Sequence, residues 1–546
     1  MTIRLPERMA DVVSRRNAPA GAGGPRHVVV VGGGVAGLAT AALLASRGHQ
    51  VDLLEKNADL GGRVGSVERD GYRFDTGASW WLMPEVFEHF FELLGTTVAA
   101  ELELTVLDPS YRVFFEGHPH PVDLRPDREH NRALFESIEP GAGDAFDAYL
   151  RSAEDTYDMA LRRFLYTSFD SPGAFLHPDV LRRAPRLGRL LTRSLEKHVA
   201  ASFRDNRLRQ VLGYPAVFLG SSPDRTPSMY HLMSRLDLGD QVLYPQGGFT
   251  RLVEVLASLA RRHGARLHTG TEVTRILTRS DARGRARVAG VEHTRADEGT
   301  STVTADLVVG AADLHHLETA LVDPEHRTHP EPAWKKRSPG PGAVLALLGV
   351  EGRLPQLPHH SLFFTADWAQ NFGDIFGSRA RVPDPASIYV CKPSETDPTV
   401  APEGCENLFV LVPVPADPGI GHGGDDGGGS PAVEQAADRA IDQVAAWAGI
   451  PDLRDRIRVR RTIGPRDFET GYHAWRGGAL GLEHTLRQSA FLRPGNASAK
   501  VDGLLYAGST TVPGVGLPMC LISAELVLKR VTGDLSSLPV PPRTVP

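Results

Sequence analysis

The sequence predicts an α/β protein: a parallel-sheet domain assembled from discontinuous segments, with a mixed α+β domain inserted between them. Three observations carry this reading. A β-branched run at residues 27–31 passes through a glycine turn, Gly32 to Gly37, straight into an apolar helical pattern. Strand patterns return near residue 265 after a long, mostly helical stretch. The chain then closes at residues 503–533 with strand, glycine-proline turn and helix. For 546 residues, at about 100–200 per domain, two or three compact units are expected.

Residues 1–25 are polar, end in Gly21-Ala22-Gly23-Gly24-Pro25 and lack periodicity, which reads as a mobile extension. Residues 27–31, 38–47 and 50–55 form strand, helix and strand on the scale of one βαβ unit. The segment 84–94 puts Val86, Phe87, Phe90, Phe91 and Leu94 on one helical face. Residues 100–125 alternate as strands do, and residues 140–235 are mostly helical, with breaks at Pro172, Pro185 and Pro223. ARLHTGTEVTRIL, RVAGVEHT and TVTADLVVGAAD then read as a hairpin that returns to a parallel sheet. Residues 340–415 mix strands with proline-rich loops, 417–431 read as a flexible glycine-rich surface loop, and 432–447 as a helix. The first domain is accordingly expected to take residues 26–100, 240–335 and 465–546, and the inserted one 101–239 and 336–464.

Composition removes several function classes. Lys and Arg number 60 against 66 Asp and Glu, a net −6 with no basic block, so no nucleic-acid partner is expected. The three cysteines, Cys391, Cys405 and Cys520, lack zinc-type spacing. They exclude a disulfide framework, fit a reducing compartment, and no metal is expected. The apolar stretch 28–45 is long enough for a membrane span, and Arg15, Arg16 and Arg26 precede it as in a signal peptide. Its clustered glycines and direct run into VDLLEK favour a buried strand, turn and helix instead.

The turn Gly32-Gly33-Gly34-Val35-Ala36-Gly37 contains G-x-G-x-x-G between strand and helix. Gly32 makes the turn, Gly34 admits a pyrophosphate against the backbone, and Gly37 lets helix pack on strand, as in a Rossmann-like fold. The helix N-terminus that follows the turn offers free N–H groups and a positive dipole end to phosphate, with Val35 and Ala36 of the turn as further candidate contacts. Glu55 ends the second strand, where its carboxylate can accept ribose hydroxyls, and Lys56 follows it. A second glycine turn, Gly61-Gly62-Arg63, and the segment Phe74-Asp75-Thr76-Gly77-Ala78 resemble the two-dinucleotide-binding signature of flavin amine oxidases and carotenoid desaturases. At the other end Gly508 leads through Val515 and Gly516 to Pro518, small residues that can lay N–H groups near a flavin. FAD is the expected cofactor, with Val273 completing the set of candidate contacts.

Several longer blocks carry a more specific likeness. FDTGASWWLMPEVFEHFF, GYPAVFLGSSPDRTPSMYHLM, YPQGGFTRLVE, GALGLEHTLRQSAFLRP and AGSTTVPGVGLPMCLISAE resemble bacterial phytoene desaturases over about residues 26–533. Thr510-Thr511 and Ala524-Glu525 depart from the commoner Ser-Thr and Ser-Gly of that family. The resemblance implies a Rossmann-like FAD domain and FAD-dependent desaturation of a C40 polyene, commonly phytoene toward lycopene. It further implies a hydrophobic polyene substrate, contact with the membrane surface on its cytoplasmic, inner face, and an electron acceptor such as oxygen or a quinone. A carotenoid ketolase or isomerase, a flavin amine or porphyrinogen oxidase, and a prenyl-binding escort protein are the alternatives.

The chemistry adds its own expectations. A polyene offers no hydrogen-bonding handle, so the channel should be apolar, with Trp80, Trp81, Leu82, Met83, Phe218 and Leu219 as candidate lining. The segment FLHPDVLR, Phe175 to Arg182, resembles the family's F-x-x-D-x-L-R with one extra residue. That resemblance makes Asp179 and Arg182 candidate catalytic residues; three apart on one helix, they are expected to pair. His231, His315 and His316 lack metal-type spacing.

Overall fold

The computed structural model describes residues 24–170, 173–296 and 299–542. The expected N-terminal extension, apart from its last two residues, and the expected break at Pro172 lie outside the described residues.

The first layer is a five-stranded parallel sheet. Along the chain its elements are β1 (His27–Val31), α1 (Val35–Ser46), β2 (Gln50–Leu54), α2 (Phe249–Arg262), β3 (Arg266–His268), β4 (Leu307–Gly310), β5 (Leu504–Tyr506) and α3 (Leu517–Thr532). The strand order is β5-β4-β1-β2-β3, with Val31 opposite both Leu54 and Gly310. Strand side chains alternate between faces. Val28 and Val30 therefore pack with α1, α2 and α3, while Val29 and Val31 pack under an antiparallel layer containing Val273, Ile276 and Val288. Helix α1 is buried from Val35 to Ala45 and packs against both α2 and α3. A helix apolar all round needs cover on every side, and here protein supplies it. That is why residues 28–45 mimic a span; among the described residues no helix is long and apolar enough to cross a membrane.

The second layer is a seven-stranded sheet. Its order is Ile457–Ile463, Gly342–Glu351, Cys405–Val414, Ile388–Cys391, His360–Phe364, Tyr111–Phe115 and Val122–Leu124. Neighbours are antiparallel except His360–Phe364 beside Tyr111–Phe115. Alternation again divides the faces: Val344, Ala346, Val410 and Val412 pack on the helix Pro431–Ala448, whereas Ala343, Leu345 and Phe409 face inward. Helices between Arg128 and Gly213 close the remaining side.

Two local expectations change. Pro185 does not break its helix, which runs Pro178–Thr192; the residue is exposed and removes only one helical hydrogen bond. The glycine-rich stretch 417–431 packs as a strap along Ile457–Ile463. Thr462 N–H donates to Gly424 O at 2.8 Å and Gly423 N–H to Asp467 Oδ2 at 2.6 Å. A Cβ on Gly423 would lie 1.9 Å from Thr462 O, so this glycine serves close backbone approach.

Candidate active site

One cavity of about 960 Å³ lies between the two sheets. Every candidate cofactor residue named from the sequence lines it except Gly37. Gly37 works beneath the turn: a Cβ there would sit 2.0 Å from Gly32 O, so only hydrogen permits the strand-to-helix crossing. Gly34 behaves differently. Its backbone is ordinary (φ −71°), and the nearest heavy atom to an added Cβ is Gly61 O at 3.8 Å. Gly508 is similar in space, with Ala36 Cβ at 3.8 Å, although its φ of +117° also demands glycine. These glycines leave a trough over the backbone that side chains would fill.

Polar groups point into the same trough. Glu55 accepts from Gly33 N–H at 2.6 Å and from Asn57 N–H at 2.8 Å, so the glycine turn itself fixes the carboxylate. Helices α1 and α3 are preceded by Gly34 and Gly516, which supply no side-chain cap, leaving N-terminal N–H groups for a ligand. Arg63 Nε and Nη2 are buried with no hydrogen-bond partner among the described residues, and the guanidinium stands 3.6 Å from Asp313 Oδ2. Lys56 is spent on Thr470 O at 2.7 Å.

Residues that motif reading passed over build the turn after Gly508. Arg493 is fully buried and donates to the carbonyls of Leu482, Gln488, Ser509 and Thr511. Burial pushes its pKa down to about 10. Asn496 Nδ2 donates to Tyr506 O and Val512 O, and Ser523 Oγ accepts from Gly508 N–H at 3.0 Å. A buried arginine satisfied wholly by carbonyls has no signature in local sequence. Of the two family departures, Thr510 lines the cavity, and Glu525 pairs with His89 at 3.0 Å; beside Thr510, Thr511 Oγ1 donates to Gly508 O.

Away from the glycines the wall is apolar. Trp80, Leu82, Met83, Phe218 and Leu219 line it. Trp81 does not: it is fully buried and stacks on Phe87, with ring centroids 3.9 Å apart. Neighbouring positions on an extended segment face opposite ways, so one tryptophan serves the cavity and the other the core.

The expected Asp179–Arg182 pair is not formed. Asp179 pairs with Arg163 at 3.3 Å and His177 at 3.4 Å, and Arg182 is exposed. Neither lines the cavity. The apolar face of their helix, with Val180, Ala184, Leu187 and Leu191, is the one turned to the wall, which sends the polar face outward. At the mouth Leu181, Leu486, Phe491 and Leu492 both line the cavity and remain exposed.

Comparison with known proteins agrees with this geometry. Residues 35–531 match the family model described as flavin containing amine oxidoreductase. The chain is 41% identical to a carotenoid 3,4-desaturase of Haloarcula japonica, over 93% of this chain and 98% of the relative. It is 36% identical to a zeta-carotene-forming phytoene desaturase of Myxococcus xanthus, over 93% and 94% respectively. A solved oxidoreductase from Methanosarcina mazei shares the fold, with TM-score 0.59 and 16% identity over 92% of this chain and all of that one.

Proposed function

The chain belongs to the flavin containing amine oxidoreductases and is an FAD-dependent carotenoid desaturase acting on CH–CH bonds; from that premise we propose that it carries phytoene toward lycopene. The observation supporting this reading is one cavity that joins the glycine trough to an exposed apolar mouth through an apolar wall.

The trough suits FAD. Open space over Gly34 and Gly508, two uncapped helix N-termini and Arg63, whose Nε and Nη2 donate no hydrogen bond among the described residues, fit an anionic dinucleotide, and Glu55 fits a ribose. Bound FAD supplies a two-electron hydride acceptor. The chain's own residues bind, orient and exclude water. Arg493, Asn496 and Ser523 hold the Gly508 turn rigid, and Trp80, Phe218 and Leu219 desolvate the polyene. Electrons leave to oxygen or a quinone; adding each to the anaerobically reduced holoenzyme distinguishes the two.

Substrate reaches the mouth from a lipid phase. Leu176, Leu181, Phe491 and Leu492 form an exposed apolar rim with Arg487 also exposed beside it, suited to the inner face of a membrane. Phe175 and Phe491, 5.7 Å apart edge to face, join its two sides. Leu181→Asp with Phe491→Asp should weaken co-flotation with lipid vesicles and leave FAD content unchanged; unchanged flotation refutes the rim.

A second bond position is favoured by the 41% identical relative, whose name specifies 3,4-desaturation. Purified holoenzyme given phytoene, ζ-carotene and lycopene separately in a lipid suspension decides, with products read by chromatography and absorbance. Oxidation of phytoene supports the first reading, and oxidation of lycopene alone supports the second. A flavin-loaded enzyme that oxidises none of them overturns both.

A further inference from the structure

Beside the cavity wall, two buried histidines and a buried cysteine converge. One ring nitrogen each of His359 and His360 and the Sγ of Cys391 all lie within 4.8 Å of one another. The cysteine and His360 are direct partners across adjacent strands. The Nε2 atoms of both histidines are buried and have no hydrogen-bond partner among the described residues. Unpaired buried nitrogens are costly, so this concentration calls for a ligand.

The other ring nitrogens say what kind. Tyr389 O–H donates to Ser79 Oγ at 2.7 Å, so its oxygen accepts from His360 Nδ1–H at 2.9 Å. Neutral His360 then presents a bare lone pair at Nε2. His359 Nδ1 is held by Thr396 Oγ1 at 2.8 Å, which permits the same tautomer. Two imidazoles, each with an unpartnered ring nitrogen, beside one thiol make a cation site of borderline-soft character, with outer partners orienting the rings. A void of about 10 Å³, bounded by Cys391, Asp75 and Tyr244, touches the cluster on its cysteine side.

We propose that His359, His360 and Cys391 bind one divalent transition-metal ion, Zn²⁺ or Co²⁺ serving as probe. Zinc distances of about 2.0–2.1 Å to nitrogen and 2.3 Å to sulfur require the three atoms to draw together by about 1 Å, within reach of side-chain rotation. Binding converts the Cys391 thiol to a metal thiolate and releases its proton to solvent, so the charge balance is one proton out per ion in. The expectation of no metal rested on spacing along the chain; here the fold, through strand pairing, brings the ligands together. His360 stacks on Trp80 with ring centroids 4.5 Å apart, so an ion here pins a wall residue of the cavity.

The test uses the FAD-loaded full chain carrying Cys405→Ser and Cys520→Ser, which leaves Cys391 as its one thiol. Titration with Co²⁺ should bind one equivalent, release one proton and give a thiolate-to-cobalt charge-transfer band. His360→Gln should weaken binding by at least about 100-fold, and Tyr389→Phe, which removes the hydroxyl shared by Ser79, His360 and Cys391, by about 10–100-fold. Absence of the thiolate band in the chain retaining Cys391 overturns the site, and marks the cluster as a water pocket. Equal affinity in His360→Gln also overturns it. The band arises in a protein whose three ligands are all intact, so the test stands even where a ligand variant fails to fold.

Discussion

Gly34 and Gly37 stand three residues apart in one motif, yet the structure assigns them different failures. A valine at Gly34 meets no protein atom closer than Gly61 O, 3.8 Å from its Cβ, and φ of −71° suits any residue. The FAD-free fold should therefore tolerate it. Its methyls would occupy the trough and displace phosphate from the first N–H groups of α1. Charge-assisted hydrogen bonds are worth about 1.5–3 kcal/mol each, so losing two costs about 3–6 kcal/mol. That is roughly 10²- to 10⁴-fold in FAD affinity. Alanine at Gly37 instead drives Cβ to 2.0 Å from Gly32 O, a backbone atom that cannot step aside. The turn must open at an overpacking cost of about 1–3 kcal/mol or more, against a total stability of about 5–15 kcal/mol. The assay is flavin absorbance per mole of protein, paired with thermal unfolding of FAD-stripped samples. Gly34→Val should be colourless with a Tm near that of stripped wild type, while Gly37→Ala should lose both flavin and Tm. Full flavin in Gly34→Val would refute the reasoning, as would equal Tm losses in the two variants.

Three further outcomes are expected. Arg493→Leu strips four carbonyls of their donor and should lower stability by at least about 4 kcal/mol, at about 1–3 kcal/mol per unsatisfied acceptor. Arg493→Lys should not restore it, because an ammonium has only three donors; urea unfolding checks both. Burial raises the Asp237 carboxyl to about 7, although the Tyr111 and Tyr214 hydroxyls donate to it. The folded state then holds a proton that the unfolded state, near 3.8, has lost, so this contribution to stability is complete below about pH 4 and lost as pH rises through 7. Asp237→Asn should flatten that fall, and an unchanged difference between unfolding at pH 5 and pH 8 would count against it. Asp179→Asn breaks partly exposed pairs with Arg163 and His177 and should retain FAD and turnover within about twofold; a hundredfold loss would return Asp179 to the reaction.

Features that depend on neighbours within a few residues were legible in the chain alone. The βαβ unit could be read because β-branched residues, a glycine turn and an apolar helix each specify local geometry. Helix α1 begins at Val35, three residues before the periodicity suggests, because Gly34 and Gly37 allow the turn to pass directly into helix. The cofactor trough was legible for the same reason: phosphate binding needs glycines and helix N–H groups that are adjacent in the chain. Packing between distant segments set the rest. Trp80 faces the cavity and Trp81 the core, a choice made by which sheet lies on each side. Asp179 and Arg182 share a helix, but the orientation of that helix depends on apolar partners far along the chain and turns both residues outward. Arg493 holds carbonyls on three separate stretches, and His360 meets Cys391 across a strand pair 31 positions apart. Contacts of that kind leave no periodicity or spacing to read, because they are fixed by packing between segments, each of which would accept many partners on its own.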